Sequence, residues 1–75
     1  MPRDARDHPM PGDILRLRET LERHVVASDS PWLMRSVHYL EIRSGARGIP
    51  RRFCSARAWK RWAGRECVRV IQQVT

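Results

Sequence analysis

The stretch Asp13 to Ala27, DILRLRETLERHVVA, decides the fold, because its apolar residues fit the period of a helix. Ile14, Leu17, Leu21 and Val25 recur at spacings of three and four, and Leu15 and Val26 widen the stripe. Asp13 stands where an N-cap would accept the first free backbone N–H groups. The opposite face holds Arg16, Glu19, Glu22 and Arg23, with Glu19 and Arg23 four apart in the order that favours an ion pair. The spacing predicts a helix over 13–27, ended by Ser28, Asp29, Ser30 and Pro31. Upstream, MPRDARDHPMPG (1–12) has three prolines, one glycine and no periodic apolar pattern. It reads as a mobile tail, leaving 13–75 as one small domain.

Downstream the period changes. WLMRSVHYLEIR (32–43) is rich in aromatic and β-branched residues, with Leu40 and Ile42 two apart between polar neighbours. It predicts a short first strand, a bend near Arg35 and Ser36, and a second strand over 37–43. Ser44, Gly45, Ala46, Arg47 and Gly48 form a hairpin loop, and Ile49 to Phe53 return as a strand that Pro50 confines to an edge. Ser55 then caps SARAWKRWAG, where Ala56, Trp59, Trp62 and Ala63 share one face, a helix ending near Gly64. The β-branched CVRVIQQVT (67–75) reads as a final strand, although Val70 and Val74 would also continue a helix. Together these predict an α+β fold: an N-terminal helix, and a three- or four-stranded antiparallel sheet packed against one C-terminal helix through Trp59 and Trp62.

The chain has 75 residues and a net charge of +7, distributed unevenly. Residues 1–30 sum to −1, whereas 31–75 sum to +8. A field of one sign over the second half attracts polyanions, so nucleic acid or an acidic protein surface is the expected partner. Fourteen of the fifteen cations are Arg, whose planar fork matches phosphate oxygens and guanine edges.

Other chemistries are disfavoured. A chain this short supplies one small core, and a deep catalytic pocket would compete with packing for the same side chains, so no enzyme is expected. No apolar run approaches the roughly 20 residues that cross a bilayer, and no secretory leader is evident, which points to a cytoplasmic protein. Cys54 and Cys67 are thirteen apart and His8, His24 and His38 are scattered, so no zinc spacing arises and no metal or cofactor is expected. Both cysteines read as free thiols, Cys54 filling the junction between sheet and helix. The loop around Gly45 and Gly48 lacks the pattern of a nucleotide-binding loop. Trp32, Trp59 and Trp62 are core candidates, whereas exposed tryptophans among arginines would suggest base stacking.

Trp32, Arg35, the hydrophobic hairpin through Tyr39 and Ile42, the Gly45 turn, Phe53, Ala58 and the triplet Arg61-Trp62-Ala63 resemble the cell-division activator family CedA over residues 32–63. The resemblance implies a three-stranded antiparallel sheet with one helix behind it, a mobile N-terminal tail, and DNA binding linked to RNA polymerase. The helix expected over 13–27, Ser36 in place of a glycine turn, and the segment after Gly64 depart from that family. A three-stranded sheet backed by a helix also resembles integrase arm-binding domains, which present the sheet to the major groove.

The function expected is binding of double-stranded DNA, as in a small transcription accessory protein associated with RNA polymerase. Arg43, Arg47, Arg51 and Arg52 on the hairpin would meet phosphates or guanine edges, and Arg57, Lys60 and Arg61 on the helix would hold the backbone. The alternatives are docking on an acidic face of a larger host protein, as small phage or plasmid proteins do, and RNA binding.

Overall fold

A computed structural model describes residues 3–29 and 36–74. The chain is mostly β: β1 (Ile14–Leu17), β2 (Leu21–Asp29), β3 (Ser36–Arg43), β4 (Arg51–Ser55), helix α1 (Ala56–Ala63) and β5 (Val68–Gln72). The strands form one antiparallel sheet in the order β4-β3-β2-β1-β5, so β1 to β4 run as a meander and β5 returns to pair with β1.

The helix expected over 13–27 is absent: that stretch is the β1–β2 hairpin, and the sheet has five strands rather than three or four. Arg18, at φ 53°, lies in the turn, and its N–H donates to the Cys67 carbonyl at 3.0 Å. The Thr20 N–H closes the turn on Leu17 O at 3.3 Å. Leu15, Leu17, Leu21 and Val25 face inward in this hairpin, and Leu17, Leu21 and Val25 would also have lain along the helical stripe. The period alone cannot separate the two folds. Arg23 hides the alternation, because it occupies an inward position between Leu21 and Val25. Arg16 and Glu22 are direct cross-strand partners, with Nη2 to Oε2 at 2.7 Å, in place of the helical pair Glu19–Arg23.

Other elements match the sequence reading. β3 covers the strand expected over 37–43; the short first strand lies outside the described residues, and of the bend expected near Arg35 and Ser36 only Ser36 is described, as the first residue of β3. β4 begins at Arg51, two residues later than expected, because Pro50 contributes only its carbonyl, which accepts from the Glu41 N–H at 3.0 Å. Ser55 caps α1, its Oγ accepting from the Ala58 N–H at 3.1 Å, and Lys60 and Arg61 occupy the last turn, where the helix dipole favours cations. Residues 67–72 include the expected last strand, β5.

Helix α1 lies on the inner face of the sheet and touches β3, β4 and β5. Trp59, fully buried, and Ala63 enter the core with Leu15, Val25, Val37, Tyr39 and Val68. A ring this size excludes 150–250 Å² from water, making Trp59 the largest single contributor to the core. β2 carries a bulge between Val25 and Ala27, which adds local twist and resets which residues face inward.

The segment read as a mobile tail is tied down from Arg3 onward. Trp59 Nε1 donates to Ala5 O at 3.0 Å, the Ala5 N–H donates to Gln73 Oε1 at 2.9 Å, and Ala5 is buried. Asp13, expected as the N-cap of a helix, is buried just before β1. It accepts from the Arg3 guanidinium at 2.5 and 3.0 Å and from the N–H groups of Met10 and Val74, both at 2.8 Å. Burial opposes its ionisation, but these hydrogen bonds and the Arg3 charge outweigh it and hold the carboxyl below its ordinary pKa. Gly12, at φ 99°, permits close approach to the residues after β5: a Cβ there would lie 2.7 Å from Val74 Cγ2.

Candidate nucleic-acid interface

The seven expected contact residues lie in four places. Arg43 ends β3 and Arg52 sits on β4, both beside the buried Glu41: Arg52 Nε donates to Glu41 Oε2 at 2.6 Å, and Arg43 Nη2 lies 3.7 Å from Oε1. Arg47 is in the β3–β4 loop. Arg51, adjacent to Arg52 in sequence, points to the other face of the sheet, because successive strand residues alternate. Arg57, Lys60 and Arg61 are exposed on α1, and Lys60 Nζ lies 3.5 Å from Asp7 Oδ1.

Two features unite these positions. Residues 43–53 are exposed without interruption and carry four arginines. Residues 42–65 carry eight cations and no carboxylate. Among the described residues, no carboxylate lies within ion-pair distance of Arg47, Arg51, Arg57, Arg61 or Arg65. Glu41 offsets one of the two charges it touches.

The inner face holds one more arginine that is no part of this surface. The Arg23 guanidinium lies 4.0 Å from the Trp62 ring centre and 4.3 Å from that of Tyr39, with Trp59 at 5.9 Å. Its Nε is buried with no hydrogen-bond partner, and burial lowers its pKa. Arg stays cationic all the same, and the ring faces replace part of its lost hydration. Trp59 and Trp62 are thereby engaged with the core, as the packing reading expects, and Trp32 lies outside the described residues.

Cys54 faces inward beside this group, and burial raises its thiol pKa, the direction opposite to an activated nucleophile. Cys54 and Cys67 are both unpaired. Among the described residues no group of three His, Cys, Asp or Glu side chains could hold a metal, and no helix is long and apolar enough to cross a membrane.

The outer face contains a group that the sequence reading passed over. Phe53 is 72% exposed and stacks on His38, with ring centres 5.7 Å apart and an angle of 30°. The signal was available in RRFCS: once Cys54 turns inward to the core, Arg51 and Phe53 must turn outward.

Comparison with known proteins finds no matching family model, no matching curated protein and no matching solved structure.

Proposed function

We propose that the protein binds nucleic acid, with Arg43, Arg47, Arg51 and Arg52 meeting phosphates and Arg57, Lys60 and Arg61 adding contacts from α1. The observation that carries this reading is the exposed run 43–53, set in 24 residues without a carboxylate. Arginines held in an ion pair are already neutralised. Among the described residues Arg47 and Arg51 of this run are in no ion pair, Arg43 and Arg52 share the single carboxylate of Glu41, and a polyphosphate is the ligand that repays the remaining repulsion. β3 is hydrogen-bonded along both edges, so the hairpin is not a free two-stranded ribbon. Its loop, residues 44–50, and the edge strand β4 are the parts that project.

A salt series of gel shifts tests the reading. With about four to six phosphates neutralised on duplex DNA, log affinity falls with log salt at a slope of roughly −3.6 to −5.4. A flat series on duplex, single strand and RNA alike rejects it.

A second reading is favoured by the position of β4 at the sheet edge. The alternation of hydrogen-bonded pairs turns the backbone groups of Arg51 and Phe53 away from β3, where an acidic partner could add a strand. A pull-down from nuclease-treated lysate separates the two: strand addition keeps a partner, and nucleic-acid binding loses every one.

A further inference from the structure

We propose that the outer face of the sheet stacks unpaired bases, so that the ligand is single-stranded nucleic acid. This rests on the nucleic-acid reading above and names its ligand class.

Phe53 begins the argument. Packing does not explain a ring 72% exposed at the end of a sheet whose core lies on the other side. From Phe53 and His38 the outer face continues inward through Leu40, His24 and Ile14, all half-buried, and Ile71 stands 45% exposed on β5. At a strand spacing of about 4.8 Å, the two rims lie roughly 19 Å apart. Each rim carries a cation: Arg51, two residues from Phe53 on β4, and Arg69, the register partner of Arg16. Among the described residues neither has a carboxylate within ion-pair distance. Glu22 also lies on this face, but Arg16 Nη2 and His24 Nε2 hold it at 2.7 and 2.9 Å.

The face thus carries an exposed ring and a cation on its β4 rim and a second cation on its β5 rim, with half-buried apolar and imidazole side chains and the Arg16–Glu22 pair between them. A ligand complementary to it is anionic along its length and presents flat rings, which describes an unpaired nucleic-acid strand. Duplex bases are stacked on one another and show only their edges, leaving Phe53 nothing to stack on. A second copy of the chain would bring +7 against +7, so self-association is disfavoured as the cover for this face.

The test is fluorescence anisotropy with a labelled oligothymidylate of about 16 nucleotides, its duplex and the corresponding oligouridylate, using the wild-type protein and Phe53→Ala. The expected result is tighter binding of the single strands than of the duplex by the wild type. Phe53→Ala weakens single-strand binding roughly 5- to 150-fold and leaves duplex binding and the salt slope unchanged, and Phe53→Trp restores affinity. Duplex bound as tightly as single strand, or a Phe53→Ala effect within about two-fold, overturns the stacking proposal and leaves phosphate binding standing. Absence of binding to all three probes overturns both. Because Phe53 is exposed, circular dichroism of the variant should match the wild type.

Discussion

The two faces of the sheet carry the same chemistry under opposite burial. On the inner face an arginine, Arg23, lies between Tyr39 and Trp62; on the outer face another, Arg51, stands two residues from the stacked pair Phe53 and His38. Inside, the half-buried guanidinium lies against the rings of Tyr39 and Trp62, and the contact serves packing. Outside, ring and cation remain hydrated and separately available. An aromatic residue beside an arginine is therefore no sign of a binding site until burial has been settled.

Substitutions can break this contrast, and the largest effect belongs to the inner face. Trp59→Ala removes the ring under Arg23 and the N–H that holds Ala5, and should cost about 4 kcal/mol in urea unfolding. A loss below about 1 kcal/mol would mean that the inner face is not the core.

Next in size is Asp13→Asn, which leaves the Arg3 guanidinium without its carboxylate where the N-terminal segment joins β1. It should cost about 3 kcal/mol at neutral pH. The carboxyl pKa is depressed in the fold, so its contribution is full above the unfolded value of about 3.9 and fades as pH falls through the folded value. Unfolding curves of wild type and variant should converge in acid. A gap that stays constant down to the lowest accessible pH would refute the pairing.

Arg23→Ala and Arg51→Ala sharpen the contrast directly. Removing Arg23 should cost about 2 kcal/mol through lost packing against the rings and leave the salt slope of nucleic-acid binding unchanged. Removing Arg51 should change stability by less than about 0.5 kcal/mol. It should also make the salt slope shallower by roughly 0.7 to 0.9. Equal behaviour of the two variants in both measurements would erase the distinction between the faces.

Much of the second half was legible from local chemistry. Ser55 caps a helix because its hydroxyl reaches the Ala58 N–H, and Trp59 and Ala63 lie four apart on its buried side. β3 was readable from its aromatic and β-branched residues and from Leu40 and Ile42 two apart, although those two face outward and Val37, Tyr39 and Glu41 face inward. The first half was misread because Arg23 breaks the alternation of β2, and the rings that accept it come from positions 39 and 62. The division of the seven cations among four places was illegible too. Arg51 and Arg52 look equivalent until Val37 and Cys54 define which face is inside.

The sequence by itself determined the excess of arginine after Pro31, the carboxylate-free run 42–65 and the capped helix that follows β4, since these depend on composition and on groups a few residues apart. Tertiary structure alone decided that 13–29 is a hairpin, that Asp13 and Ala5 are buried, and that Phe53 is left in water. These outcomes depend on partners as far as 68 residues away, such as Tyr39, Trp59 and Gln73, because burial is a property of the assembled layers and not of any short stretch of chain.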